Sequence, residues 1–223
     1  MSSSPNRPFT ELEVADYERR RYRGLDQRLV HSRESRILKK LLELAMVEPL
    51  RPAQLLDAPC GYGRFTDILR QTGAVLVSSD ISRAMVKRTR ARPLSAGPPL
   101  AAVANIKRGL PFPEGMFGLV FSVRFFHHLH RSQERRAVLS ELARVTSRWA
   151  LVSYYRLNAL HRLQRKLRRA VKHSRTQIKM VTAEEFNVEA NGAGLRVVRV
   201  VPLCRGLHAQ QFVLLEKRAK KSA

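Results

Sequence analysis

The chain has 223 residues and contains few cysteines, few acidic residues and no long apolar run. Its two cysteines, Cys60 and Cys204, are too few for a disulfide framework or a cysteine-rich zinc site. No apolar run approaches the roughly 18–20 residues that a membrane-spanning helix needs. Residues 1–8 lack the apolar segment of a secretory signal. We therefore expect a reduced, cytoplasmic protein without a bound metal.

The shortage of acidic residues leaves 18 Asp and Glu against 42 Lys and Arg, a formal net charge of +24. A surface this basic indicates anionic partners such as phosphate groups, nucleic acid or anionic lipid. The imbalance is greatest over residues 142–183, which contain eleven basic residues and no Asp or Glu. Within this stretch, four apolar residues recur at helical spacing: Leu160, Leu163, Leu167 and Val171.

This spacing predicts a basic amphipathic helix over residues 158–172. Two interpretations stay open. In the first, the helix is a docking face that contacts the inner face of an anionic membrane or an acidic substrate. Alternatively, it is a solvated lid whose apolar stripe packs on the core.

Aromatic residues make up only 7% of the chain, yet hydrophobic residues reach 44%, which is enough for a folded core. The length predicts one domain over residues 11–216, with a helical cap at 11–50 and a basic helical insert at 157–181. Residues 1–10 are expected to be a disordered tail, and residues 217–223 a short basic tail.

Strand and helix patterns alternate along the chain. Strands are predicted at 54–57, 74–78, 100–105, 118–123 and 149–154, followed by a pair at 195–201 and 211–215. Helices are predicted at 11–48, 64–72, 82–92, 132–146 and 182–190. This alternation predicts a doubly wound, parallel α/β sheet, and the final strand pair predicts an antiparallel edge. Ligands of such sheets bind outside the carboxyl ends of the strands.

The strongest motif follows the first predicted strand and reads Asp57-Ala58-Pro59-Cys60-Gly61-Tyr62-Gly63. Glycines let a ligand lie against the backbone where a turn opens a helix. Thr66 stands where a dinucleotide fingerprint needs its third glycine, and the chain has no Gly-Lys-Ser or Gly-Lys-Thr phosphate loop. Asp80 follows Gly63 by 17 residues, at the end of the next strand, where a carboxylate can accept hydrogen bonds from a ribose.

Together with two further segments, these residues resemble the class I S-adenosylmethionine-dependent methyltransferases, and most closely their small-molecule and quinone-type branch. The further segments are residues 109–120 (GLPFPEGMFGLV) and 126–129 (FHHL). The resemblance covers about half of the chain, from residue 55 to roughly residue 155. It implies a Rossmann-like, doubly wound, mostly parallel seven-stranded sheet with an antiparallel edge strand, and S-adenosyl-L-methionine as the cofactor.

The resemblance also implies roles for individual residues. The backbone of Gly61 and Gly63 would pass the methionine moiety, and Asp57 would orient the cofactor's ammonium group. Asp80 would hold the ribose, with Ile81 on the adenine. The full cofactor set implied by the resemblance is Asp57, Ala58, Cys60, Gly61, Gly63, Asp80, Ile81, Asn105, Ile106 and Val123. The chain departs from the family at Asn105, where an acid is usual, and at Gly118, which replaces an aspartate.

Candidate residues for the transfer step follow the fourth and fifth predicted strands. His127 is a candidate general base because a histidine titrates near neutral pH, although one of two adjacent histidines often only packs beside the cofactor. Tyr154 could orient an acceptor, and it could equally be a packing aromatic. Tyr155 and Arg156 are candidate substrate contacts, since a guanidinium binds carboxylates and phosphates well.

Three functions stay open at this point. The favoured one is methyl transfer to a small-molecule or lipid-like acceptor that is anionic. Methylation of RNA is the second, but the basic stretch has few aromatic residues to stack on bases. The third is a non-catalytic, methyltransferase-like subunit that binds a protein partner. The sequence does not indicate an oligomeric state.

Overall fold

The fold is built on a seven-stranded sheet with helices on both faces. A computed structural model describes residues 10, 13–14, 25–45, 54–92, 97–157, 178–206 and 208–219. The strands are β1 (Gln54–Asp57), β2 (Val75–Asp80), β3 (Leu100–Val103), β4 (Phe117–Ser122), β5 (Thr146–Tyr155), β6 (Leu195–Cys204) and β7 (His208–Lys217). Over these residues the helices are α1 (Leu25–Ala45), α2 (Thr66–Arg70), α3 (Arg83–Arg90), α4 (Ser132–Val145) and α5 (Ala183–Gly192), with a 3₁₀ turn at Phe126–His128.

The strand order is β3-β2-β1-β4-β5-β7-β6. Strands β1 to β5 run parallel to one another, whereas β7 runs antiparallel to both β5 and β6. The predicted doubly wound sheet and its antiparallel edge pair are therefore confirmed. The reversed strand β7 lies one position in from the edge, and β6 forms the edge itself. The order reverses between β1 and β4, so the switch point lies at their carboxyl ends.

Two apolar layers sandwich the sheet. One lies under α4 and α5 and contains Val138, Leu142 and Phe186. The other lies under α1 and α2 and contains Leu38, Leu41, Leu69 and Phe212. Strand β4 is buried along its whole length, as expected for a central parallel strand covered on both faces.

The predicted segments agree with the structure to within a few residues where the structure describes them. Strand β1 has the predicted bounds, and β2 extends two residues beyond its predicted end, so that Asp80 is its last residue. Strand β5 starts three residues earlier than predicted, since α4 passes directly into it at Thr146. Ser82 caps α3, and Thr182 and Glu185 form the predicted capping box of α5.

The predicted basic helix at 158–172 lies outside the described residues, as do the two predicted tails except for residues 10 and 217–219. The two ends of that insert lie side by side. Leu157 donates its backbone N–H to Val181 at 2.9 Å, and Val181 donates to Tyr155 at 2.9 Å. The insert thus leaves and rejoins the fold at the carboxyl end of β5.

Candidate active site

A crevice opens at the carboxyl ends of the strands on one side of the switch point. Its lining comes from the turn after β1, the ends of β2 and β3, and the segment after β4. The residues are Ala58, Pro59, Ser79, Ile81, Ala104, Asn105, Ile106, Lys107, Leu110 and Phe125. Such a mainly apolar slot with a few polar groups suits a flat heteroaromatic ring.

The glycine turn between β1 and α2 uses its two glycines in different ways. Both have positive φ, +56° at Gly61 and +77° at Gly63, a conformation that side chains disfavour. A Cβ on Gly61 would meet nothing within 4 Å, so its backbone faces open space. A Cβ on Gly63 would lie 2.8 Å from Thr66 Oγ1 and 2.9 Å from Arg92 Cδ. Packing against α2 and the end of α3 therefore already requires a glycine at Gly63.

Asp80 joins the glycine turn to the start of α3. Its Oδ2 accepts the Gly61 N–H at 3.0 Å, and its Oδ1 accepts the Ser82 N–H at 2.9 Å. Burial raises the pKa of Asp80, while these backbone hydrogen bonds act in the opposite direction. Each carboxylate oxygen keeps a second lone pair. The carboxylate can therefore support the turn and still accept hydrogen bonds from a ligand.

Asp57 is the second buried carboxyl group of the site. Burial raises its pKa well above the ordinary value, and the nearby charge of Asp80 raises it further. Burial also raises the pKa of the Cys60 thiol, so this cysteine is a poor nucleophile. Two carboxyl groups that resist ionisation together form a site that a cation would stabilise.

The walls of the crevice bring together four of the predicted cofactor contacts. Ile81 is 47% exposed, and Ala58, Asn105 and Ile106 lie around it. The Asn105 side-chain oxygen accepts the Lys107 N–H at 3.0 Å, so one of its lone pairs is occupied by the chain itself. The predicted contact Val123 is instead buried in the apolar layer under α1 and α2.

Two observations test whether the crevice fits the nucleoside end of S-adenosylmethionine. Ser79 lines the crevice, and its buried hydroxyl has no hydrogen-bond partner among the described residues. Gly61 leaves the turn open beside Asp80. A buried hydroxyl without a partner is costly, and a polar ligand would satisfy it. These residues fit the cofactor.

The predicted transfer residues divide between the crevice edge and the core. The His127 and Tyr155 rings lie 5.2 Å apart, edge to face, beyond the carboxyl ends of β4 and β5. Arg156 follows Tyr155 and is exposed. Tyr154 is 3% exposed and its ring stacks on Phe186 at 4.2 Å, in the layer under α4 and α5. This packing accounts for Tyr154 without a role in methyl transfer.

The sequence reading missed His208, at the start of β7. Its ring lies 5.9 Å from the Tyr155 ring. Its Nδ1 accepts the backbone N–H of Gln210 at 3.1 Å, so the neutral ring carries its proton on Nε2. Only the antiparallel pairing of β5 with β7 brings His208 to this edge, and no local sequence motif marks it.

The sequence reading also missed a buried ion cluster on α1. The Glu34 carboxylate is fully buried and accepts hydrogen bonds from Arg64 Nη2 and Arg124 Nε, each at 2.8 Å. Arg64 follows the glycine turn, and Arg124 follows β4 with a positive φ of 63°. Helix α1 is thereby joined to both segments that border the crevice. No group of three or more metal-binding side chains occurs in the described part of the chain.

Residues 56–152 match the family model described as "Methyltransferase domain". No curated protein sequence matches the chain significantly. The match spans β1 to β5 and includes the glycine turn, Asp80 and the crevice. The predicted family resemblance and the predicted cofactor are therefore confirmed.

Solved structures show the same fold over three quarters of the chain or more. Magnesium protoporphyrin IX methyltransferase from Synechocystis PCC 6803, with bound SAH, is 18% identical with a TM-score of 0.72, over 91% of this chain and 94% of that one. A S-adenosylmethionine-dependent methyltransferase from Methanosarcina mazei is 19% identical with a TM-score of 0.62, over 75% and 93% of the two chains. A structure of the Haloferax volcanii Trm112 methyltransferase activator with its methyltransferase-fold partner matches at 17% identity and a TM-score of 0.66, over 96% and 99%.

Proposed function

We propose that this chain, a S-adenosylmethionine-dependent methyltransferase whose methyltransferase domain covers residues 56–152, methylates an anionic small-molecule or lipid-like acceptor. The observation that carries the proposal is the group of side chains beyond the carboxyl ends of β4 and β5. In this group the Tyr155 ring lies 5.2 Å from the His127 ring and 5.9 Å from the His208 ring. An exposed guanidinium, Arg156, follows directly.

We assign the cofactor to the crevice that is lined by the glycine turn and by the ends of β2 and β3. Asp80 would accept hydrogen bonds from the ribose, Ile81 and Ile106 would pack on the adenine, and Asp57 would face the ammonium group. Bound S-adenosylmethionine supplies a methyl group on a positively charged sulfur, ready for in-line transfer. The two buried carboxyl groups favour a cationic ligand because its charge stabilises their ionised forms.

The side chains proposed to bind the acceptor would select it by its charge. Arg156 is a cation at the rim, and its backbone is fixed by a hydrogen bond from its N–H to the Ala209 carbonyl at 2.8 Å. His208 offers an Nε2 proton when neutral. A guanidinium together with a ring N–H suits a carboxylate or a phosphate. The rings of His127 and Tyr155 add an apolar wall for the body of the acceptor.

His127 is the proposed general base for an acceptor that must lose a proton. Its backbone carbonyl accepts the Lys179 N–H at 3.2 Å, which ties the turn after β4 to the chain that re-enters after the insert. A histidine at the rim can take a proton from a hydroxyl or an acidic carbon near neutral pH. An acceptor that is already deprotonated would need no base, and His127 would then only line the site.

The test is a methylation assay with radiolabelled S-adenosylmethionine and three separate fractions: small organic acids, a lipid extract and RNA. Label in the acid or lipid fraction supports the proposal, whereas label confined to RNA contradicts it. Each labelled acid is then compared with its neutral amide. We expect Arg156→Gln to raise the KM for the acid about tenfold or more and to leave cofactor affinity unchanged. An unchanged KM would remove Arg156 from the acceptor site.

A second candidate function is supported by the Haloferax volcanii match, whose chain is bound to a methyltransferase activator protein. This chain could act only with a protein partner, or serve as a non-catalytic subunit that stabilises one. Edge strand β3 exposes Leu100 and Val103, with 62% and 53% of their surface accessible, and would suit such a partner. A well-folded protein that fails to bind S-adenosylmethionine in calorimetry would favour this function over the first.

A further inference from the structure

A basic face lies away from the crevice, where α1 passes the edge strand β6. A groove between them is lined by five cationic side chains and by an apolar floor. The cations are Arg33, Arg36, Lys40, Arg199 and Arg205, and the floor is Ile37, Val200, Val201 and Pro202, with Cys204. No carboxylate lines the groove, and none of the five cations forms an ion pair within the described residues. Here this surface is called the α1–β6 face.

The residues of α1 on this face form one narrow stripe. At 3.6 residues per turn, Leu29, Arg33, Arg36, Lys40 and Leu44 fall within an arc of about 80° and span about 22 Å along the helix. The two leucines at its ends are 72% and 51% exposed. Glu43 and Lys39 lie beside the stripe on the flank toward α2, where their opposite charges offset each other.

The exposed leucines at both ends of the cationic stripe place apolar surface beside its charges. Strand β6 adds Arg199 and Val201 on the side of the sheet that faces α1. Cations bracketed by exposed aliphatic side chains are typical of surfaces that lie on anionic bilayers. The cations approach the headgroups, and the aliphatic side chains enter the boundary of the acyl region.

A nucleic acid is a poorer match to this face. Proteins that bind single strands combine cations with aromatic side chains on which bases stack. The described residues lining the groove include no aromatic side chain. The aliphatic residues that flank the cations would stay exposed against a phosphate backbone.

We propose that the α1–β6 face docks the protein on an anionic membrane surface. The inference concerns a surface outside the crevice, and it holds whichever acceptor the enzyme uses. No helix in the described part of the chain has the length and apolarity to span a bilayer. The contact would therefore be peripheral and would weaken as salt concentration rises.

The test is co-sedimentation of the full chain with vesicles of equimolar phosphatidylserine and phosphatidylcholine, and with vesicles of phosphatidylcholine alone. The wild type should bind only the anionic vesicles. The double variant Arg36→Glu with Arg199→Glu should bind them at least about tenfold more weakly. The matched control is Arg90→Glu with Arg136→Glu, which changes the net charge equally at two exposed positions elsewhere, and it should stay within about twofold of the wild type.

A second pair separates the face from net charge. Leu29→Ser with Leu44→Ser leaves the charge unchanged and should weaken vesicle binding severalfold, because the aliphatic contact is lost. Both leucines are exposed, so folding should be preserved, as circular dichroism would verify. Equal losses in the groove and control charge variants would overturn the proposal, as would no vesicle binding by the wild type. Groove-dependent binding to a single-stranded RNA oligonucleotide, without vesicle binding, would replace the membrane with RNA.

Discussion

Glu34 and Arg124 lie 90 residues apart in sequence, yet Arg124 Nε donates a 2.8 Å hydrogen bond to the Glu34 carboxylate. Arg64 binds the same carboxylate from the other side. The Arg124 backbone N–H in turn donates to Ser153 Oγ at 2.8 Å, which extends the network to β5. One buried carboxylate on α1 thus connects the segments after β1 and β4, and indirectly the strand that carries Tyr155.

Removal of the Glu34 carboxylate should destabilise the fold. In Glu34→Ala two arginines that are only 9% and 16% exposed would lose their common partner. Breaking a buried ion pair costs about 3–5 kcal/mol of unfolding free energy. Chemical denaturation would measure the loss, with the exposed Glu43→Ala as control, expected within about 0.5 kcal/mol of the wild type. If Glu34→Ala lost as little unfolding free energy as the control, the cluster would make no net contribution to stability.

The sequence predicted local features and the sheet architecture well, but not the side-chain contacts between distant segments. The strand at 54–57, the Ser82 cap and the capping box of Thr182 with Glu185 depend on neighbouring residues, so local patterns reveal them. The Glu34 cluster and His208 depend on which segments the topology brings together. Charged residues on a helix usually face solvent, and nothing local distinguishes Glu34 from Glu43.

The glycine turn shows the same limit inside a recognised motif. Both glycines were predicted to pass the cofactor, since the motif treats them alike. The structure leaves Gly61 beside open space and encloses Gly63 between Thr66 and Arg92. That difference comes from the packing of α2 and α3, which the spacing of the two glycines does not encode.

Loss of the Asp80 carboxylate should weaken cofactor binding more than it weakens the fold. Asp80→Asn keeps one oxygen that can accept a backbone hydrogen bond and loses the charge that suits a cationic ligand. We expect S-adenosylmethionine affinity to fall about 10- to 100-fold in calorimetry. Asp67→Asn is the control, since its carboxylate is half exposed and pairs with Arg92 away from the glycine turn's Asp80 contact. Unchanged affinity in Asp80→Asn would contradict the assignment of the ribose site.

Cofactor affinity should rise with pH above the ordinary carboxyl range. Burial raises the pKa of both carboxyl groups, and the charge of Asp80 raises the pKa of Asp57 further. Both groups therefore keep their protons up to a higher pH than in the unfolded chain. A cationic ligand favours the ionised forms, and its binding should release protons. Calorimetry in buffers of different ionisation enthalpy would detect that release, and Asp57→Asn should reduce it. Equal heats in all buffers would contradict the prediction.

The same raised pKa values set the pH dependence of stability without ligand. Between the unfolded and the folded pKa the folded protein binds more protons, so its unfolding free energy falls as pH rises through that window. Stability from this source is complete below the unfolded value, near pH 4. Denaturation of the ligand-free protein at several pH values would test this. Asp57→Asn should flatten the slope, and a wild-type slope already flat would contradict the prediction.

The buried pair between α4 and α5 offers a test of what such pairs contribute. Arg135 binds Glu189 through Nε at 2.8 Å and Nη2 at 2.6 Å, and both side chains are nearly fully buried. Glu189→Leu alone should cost about 3–5 kcal/mol, because it leaves a buried guanidinium without its partner. The double variant Arg135→Met with Glu189→Leu should recover much of that loss. A double variant that is less stable than both single variants would show that the pair is strongly stabilising.

The two glycines of the turn should respond differently to alanine. Gly63→Ala places a methyl group under 3 Å from Thr66 Oγ1 and Arg92 Cδ, so we expect the clash to cost about 1–3 kcal/mol of stability. Its positive φ adds about 1–2 kcal/mol to that loss. Gly61→Ala meets no neighbour and should cost only about 1–2 kcal/mol for its positive φ. Its methyl group would instead enter the open space beside Asp80, where the cofactor is proposed to lie. Denaturation would measure the stability of both variants, and calorimetry would measure their affinity for S-adenosylmethionine. Wild-type affinity in Gly61→Ala would contradict the proposed position of the cofactor beside this turn.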